Sequence, residues 1–193
     1  MKIRQVILGI LVLILSLSTI NAQDGGARVY AGAIMLQNRD NLANPNGTFY
    51  SGFQAGLDAR LMSGGMSFLV GAKYAKFSML PNETFVLTGH DENITMISGR
   101  GGIDFTIFNI TRNIRIRSKV LASIDMVVDT KGNSEPAQDY NLNDGWMGIV
   151  SGLGFDFGPV VLDVEYEYGI INAYYRKPDT QFDTFTFTAG FFF

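Results

Sequence analysis

The chain has a single histidine and no cysteine, which narrows the chemistry its side chains could perform. His90 lies in Gly89-His90-Asp91-Glu92, and Ser78 and Ser98 stand on either side of that stretch. A serine, a histidine and an acid are the parts of a hydrolytic site, where the imidazole takes the hydroxyl proton and a carboxylate orients the ring. No spacing ties either serine to His90, so a solvated loop histidine is the plainer reading. Asp129, Glu135, Asp139 and Asp144 frame a second polar stretch, DTKGNSEPAQDYNLND. Oxygen-rich loops can hold calcium, but the EF-hand order of acids, glycine and terminal glutamate is absent. A polar surface loop is expected there. No phosphate loop, dinucleotide fingerprint or metal cluster is visible, and no cofactor is implied.

A larger set of ionisable residues recurs at every second position. Asp58 and Arg60 are one such pair, Arg115, Arg117 and Lys119 a triplet, and Asp163, Glu165 and Glu167 another. Lys73, Arg100, Asp104, Asp125 and Asp156 fall in the same phase of their own segments. Period two is the repeat of a β-strand, whose successive side chains point to opposite faces. The apolar residues take the other phase. In 49–61, Phe49, Phe53, Ala55, Leu57, Ala59 and Leu61 oppose Tyr50, Gly52, Gln54, Gly56, Asp58 and Arg60. In 114–126, Ile114, Ile116, Val120, Ala122, Ile124 and Met126 oppose the cations and Asp125. In 160–170, Val160, Leu162, Val164, Tyr166, Tyr168 and Ile170 oppose the acids.

Such residues need strands to position them, and alternation between turn signals gives eight: about 28–39, 48–62, 66–79, 94–107, 113–128, 145–157, 160–172 and 181–193. Most exceed the ~5–6 residues usual in soluble sheets and are long enough to cross a bilayer at a tilt. Four longer connections (Asp40–Gly47, Leu80–Asn93, Thr130–Asp144, Ala173–Thr180) alternate with three short ones (Ser63–Gly65, Asn109–Arg112, Gly158-Pro159). That is the up-and-down pattern of a barrel with long loops at one end and tight turns at the other. The fold class expected is all-β, an eight-stranded antiparallel up-and-down transmembrane barrel.

Two barrels fit the alternation. A soluble one turns its apolar face inward, and a membrane barrel turns it outward. An eight-stranded interior has little room, too little for about five bulky apolar side chains per strand. Gly52, Gly56, Gly71, Gly102, Gly148, Gly152, Gly154 and Gly190 share the charged face, where long Arg, Lys and Glu chains need space. On a solvated face those glycines would only weaken the strands. Apolar-out follows. Asp58, Arg60, Lys73, Arg100, Asp104, Arg115, Arg117, Lys119, Asp125, Asp156, Asp163, Glu165 and Glu167 then line the lumen. Buried charges persist when paired, so a salt-bridge network is expected there rather than a conducting path.

The two ends of the chain have their own signatures. Met1–Ala22 carries Lys2 and Arg4, the apolar run Val6–Leu17, and a polar stretch ending at Ala22. This is the layout of a secretory signal peptide, with cleavage expected before Gln23. The domain division is therefore 1–22 signal peptide and 23–193 barrel. Cleavage leaves 171 of the 193 residues and removes two of the 15 Lys and Arg, so that 13 face 18 Asp and Glu, a formal charge of −5. That balance excludes a basic nucleic-acid binder. At the other end, DTFTFTAGFFF puts Phe185, Phe187, Ala189, Phe191 and Phe193 on one face. A soluble sheet rarely ends so, because the rings would stand exposed at an edge; a closing strand facing lipid accommodates them.

On these residues the chain resembles the small eight-stranded outer-membrane β-barrels of the OmpA/OmpX-like, porin-family kind, over essentially all of Gln23–Phe193. The resemblance implies an outer-membrane location in a Gram-negative envelope. It also implies that Phe185, Phe187, Phe191 and Phe193 form the signal read by the barrel-assembly machinery, with Ala189 smaller than usual at its position. It leaves the biochemical role open. The family includes anchors, adhesins, narrow channels and lipid A deacylases; for the last, His90 and a serine would be the parts. The expected role is non-enzymatic and structural or interaction-based, through the external loops, by a protein expected to be monomeric. A narrow ion or small-solute channel, a lipid-modifying enzyme and a soluble periplasmic barrel are the alternatives. Expected partners are outer-membrane lipids and lipopolysaccharide, whose phosphates Arg39, Lys76, Arg176 and Lys177 could meet. Tyr30, Tyr50, Tyr74, Tyr174 and Tyr175 suit interfacial girdles.

Overall fold

The computed structural model describes residues 25–39, 49–61, 65–78, 93–111, 113–131, 143–173 and 180–193. Eight strands form in chain order: β1 Gly26–Asn38, β2 Phe49–Leu61, β3 Met66–Ser78, β4 Asn93–Thr111, β5 Ile114–Lys131, β6 Gly145–Phe157, β7 Val160–Gly169 and β8 Phe182–Phe192. Each pairs antiparallel with its neighbours, and β1 pairs with β8 to close the barrel. Closure runs to the end of the chain, where Ala27 and Phe193 exchange backbone hydrogen bonds of 2.8 and 2.9 Å.

The register sets the tilt. Paired residues lead from Gly26 through Arg60, Leu69, Gly102, Leu121, Val150, Glu167 and Thr184 back to β1 at Leu36, ten residues further along. A stagger of that size in eight strands requires a tilt in the ~35–45° range and leaves an interior that side chains fill.

The outer surface carries the apolar phase. Ile97, Val120, Ile124, Ile149, Leu162 and Phe187 are all exposed, while their neighbours in sequence are buried. At the Gly158-Pro159 turn, Gly158 has a φ of 62°, which an L side chain rarely adopts, and so β6 reverses directly into β7.

Two expectations change. The segment Asn109–Arg112, read as a turn, belongs to β4 as far as Thr111, and β7 ends at Gly169 instead of continuing to 172. In the first case, two bulges in β4 let strand pairing continue where simple alternation breaks down. The connections at 40–48, 79–92, 132–142 and 174–179 lie outside the described residues, as do residues 1–24.

Candidate functional site

Among the described residues, the lumen brings together the largest group of ionisable side chains. Arg28, Arg60, Lys73, Arg100, Arg117 and Lys119 are buried in it, and Arg115 stands partly exposed at the turn-side rim. Asp58, Asp104, Asp125, Asp156, Asp163, Glu165 and Glu167 are buried opposite them, so among the described residues seven cations meet seven carboxylates.

Strand β7 supplies the central ladder, because Asp163, Glu165 and Glu167 project inward at alternate positions. Lys119 reaches two of its rungs, Glu165 at 2.6 Å and Asp163 at 2.9 Å. Arg100 crosses the lumen from β4 to Glu165 at 2.7 Å and grips Asp58 on β2 through Nε and an η nitrogen, at 3.0 and 2.7 Å. Arg28 joins the same Asp58 to Asp163. The Tyr30 ring lies 4.8 Å from the guanidinium carbons of both Arg28 and Arg100. Its negative π face favours that position between two cations.

Towards the turns, Arg117 binds Asp156 at 2.9 Å and also Asp104, and Arg60 donates to Asp104 at 3.3 Å. Arg115 approaches Asp156 at 3.6 Å. Towards the loops, Lys73 donates to Glu167 at 2.8 Å, Ser123 donates to Glu167, and Ser98 donates to Asp125. Several carboxylates thus serve more than one cation, and this pairing offsets the cost of burying their charge in a low-dielectric interior. Glycines clear the space: a Cβ at Gly71 would strike Asp58 Oδ1, and one at Gly154 would lie 2.5 Å from Asp163 Oδ1.

Above this network, at the loop-side end, the lumen changes character. Leu36, Phe77, Ile94, Met96, Trp146, Ala173 and Phe182 form a buried cluster, with Tyr50 and Val127 packed against it. Trp146 and Phe182 meet edge to face, with centroids 5.2 Å apart. The expectation of a lumen lined by charge therefore applies to its turn-side and middle parts. The loop-side part is an apolar plug built from β1, β3, β4, β6 and β8.

Sequence reasoning missed Arg28, whose only signal is that it shares a phase with Tyr30 and Gly32 near the start of β1. Two tyrosines assigned to interfacial girdles face inward instead: Tyr30 is buried among the arginines, and Tyr50 packs on the apolar plug. Tyr74 does face outward and is exposed; Tyr174 and Tyr175 lie outside the described residues.

The catalytic and anion-binding candidates scatter. His90 lies outside the described residues. Ser98 is fully buried and committed to Asp125, so its hydroxyl has no path to a lipid outside the barrel. Asp129 and Asp144 are exposed near the loop-side ends, and Glu135 and Asp139 lie outside the described residues. Among the described residues no cluster of His, Cys, Asp or Glu is arranged to hold a metal ion. Arg39 is on the outer surface, held by Asp183 (Nε to Oδ2, 2.9 Å), with the Tyr168 ring 3.7 Å from its guanidinium carbon. Tyr166 donates to the same Asp183 at 2.9 Å. Lys76 is partly exposed on the outer face, and Arg176 and Lys177 lie outside the described residues.

No protein-family model and no curated protein sequence matches the chain. Among solved structures it is similar to Neisserial surface protein A, with a TM-score of 0.52 and 15% identity over 86% of this chain and 96% of that one. It is also similar to Ail, the attachment invasion locus protein of Yersinia pestis, with a TM-score of 0.49 and 14% identity over 88% and 99%. The closed barrel and the first of these similarities give the fold: that of the small eight-stranded outer-membrane β-barrels.

Proposed function

We propose that the chain is an integral outer-membrane protein whose barrel is a filled, non-conducting and non-catalytic scaffold, with a structural or interaction role exerted through its four loop-side connections. The observation that carries this reading is the inversion of polarity across each strand. Ion pairs fill the inside, and large apolar side chains stand exposed outside. Water would penalise that exterior, whereas hydrocarbon accepts it and closure leaves no strand edge in the wall.

The interior argues against a channel. Each of the six buried cations lies within 4 Å of a carboxylate, and the apolar plug closes over the network. An ion entering would have to break those pairs in a low-dielectric space. On this reading residues 1–22 direct export and are removed, and the strand ending in Phe193 is recognised during assembly. The partners are outer-membrane lipid and the phosphates of lipopolysaccharide near Arg39 and Lys76, and the barrel acts as a monomer.

The test is planar-bilayer recording of refolded protein lacking residues 1–22, alongside membrane fractionation and heat-modifiable gel migration. The expected outcome is membrane recovery, a heat-dependent shift and no reproducible unit conductance. Discrete steps whose size changes in Arg117→Ala would overturn the filled-lumen reading. Recovery in the aqueous fraction would overturn the location.

A further inference from the structure

The ion pairs of the lumen fall into two sets that share no member. The turn-side and middle set holds five carboxylates and all the buried cations except Lys73, with Arg115 at its rim. Five buried charges of each sign balance there, since Arg115 is 36% exposed and solvated. The loop-side set is Lys73, Asp125 and Glu167, all three buried. Lys73 Nζ lies 2.8 Å from Glu167 and 3.8 Å from Asp125, and among the described residues no other cation comes within 4 Å of either carboxylate. One cation there faces two acids.

The donors are shared unequally between those acids. Glu167 receives Lys73, the Ser123 hydroxyl and, at 3.3 Å, the Thr184 hydroxyl. Asp125 receives the Ser98 hydroxyl on Oδ1, while among the described residues its Oδ2 has no donor. The two carboxyl groups are nonetheless in hydrogen-bonding contact with each other. Two ionised carboxylates cannot make that contact, because neither has a hydrogen to give. On the loop side the neighbours are apolar. Asp125 is paired in register with Trp146 of the plug, and Val127, the next inward residue of β5, packs against it.

We infer that Asp125 and Glu167 hold one proton between them, carried on Asp125, whose O–H donates to the Glu167 carboxylate. This rests on the filled lumen proposed above. A second bare carboxylate beneath an apolar plug would be a buried charge without a counterion, and such a group takes up a proton instead. Adjacent carboxyl groups behave alike, since two like charges in contact cannot both ionise. Glu167 keeps the charge because Lys73 and two hydroxyls converge on it. The loop-side set is then neutral with a single lysine. A bound proton does there what a second cationic side chain does elsewhere in the lumen.

The test compares two neutral isosteres refolded into lipid vesicles, with heat-modifiable migration verifying that each is folded. Asp125→Asn keeps a donor towards Glu167 and removes no charge, so its urea midpoint is expected to match or exceed that of the unsubstituted protein. Glu165→Gln removes a charge held between Arg100 and Lys119, and its midpoint is expected to fall. Infrared spectra of the unsubstituted protein at neutral pH are expected to show a protonated-carboxyl C=O band. That band should shift on heavy-carbon labelling of the aspartate carboxyls and vanish in Asp125→Asn. It is read on the unsubstituted protein, so it decides the matter even where Asp125→Asn does not fold. Absence of the band, or no response to aspartate labelling, overturns the proton on Asp125. An Asp125→Asn midpoint lowered as far as that of Glu165→Gln does the same. If Glu165→Gln also leaves the midpoint unchanged, it is the filled lumen that fails.

Discussion

Adjacent residues of β5 live in opposite worlds. Lys119 is fully buried, with carboxylates at 2.6 and 2.9 Å, while Val120 is 51% exposed and faces away from the protein. The same contrast holds along β7, where Glu165 is buried and Tyr166 exposed. Inside, each charged group depends on partners from other strands, so removing one leaves others uncompensated. Outside, each side chain depends on the solvent it meets. The inner face is specified by neighbours and the outer face by environment.

That contrast can be broken at its strongest point with Asp58→Ala. The carboxylate serves both Arg28 and Arg100, and its loss leaves two buried guanidinium groups short of a partner. The expected cost is about 3–5 kcal/mol, read from urea unfolding in lipid vesicles. A loss well under ~1 kcal/mol would mean that the lumen is hydrated enough to screen its charges.

The outer face is tested next by Val120→Arg, expected to cost about 2–4 kcal/mol if the position lies near the bilayer midplane, less towards an interface. The same substitution in a water-facing wall would be close to neutral, so an unchanged midpoint would contradict a hydrocarbon environment.

The smallest effects separate two glycines of one strand. A Cβ at Gly102 would lie 2.3 Å from the Val120 carbonyl oxygen, whereas one at Gly99 meets nothing within 4 Å. Gly102→Ala should lower stability by about 1–3 kcal/mol through forced displacement of backbone. Gly99→Ala should be neutral or raise stability by up to ~1 kcal/mol, since alanine loses less backbone entropy. Equal responses at both positions would remove the difference between the faces.

Much of this arrangement is legible in the chain because the relevant rule is local. Alternation assigns Asp163, Glu165 and Glu167 to one face, and they share one wall of the lumen. Arg28 escaped because it stands alone, with no second charge in phase on its strand. Tyr30 was misassigned because an aromatic near a strand end carries the same signature whether it faces lipid or a cation inside. The apolar plug escaped for a similar reason: Leu36, Phe77, Met96, Trp146 and Phe182 are apolar residues in the inward phase. Their assignment needs the knowledge that five strands bring them to one level. Ile107-Phe108 breaks alternation visibly, but only the pairing of β4 with β5 distinguishes a bulge from a turn.

By itself the sequence determined the number of strands, their order, the alternation of short and long connections, and which phase of most strands is apolar. These follow from period two and turn chemistry, which act over a few residues. Only the tertiary structure decided the ten-residue stagger, the partners of each charge, the apolar plug above them and the bulges of β4. Those depend on register between strands far apart in sequence. Register sets which side chains share a level of the barrel, and so which charges can neutralise one another.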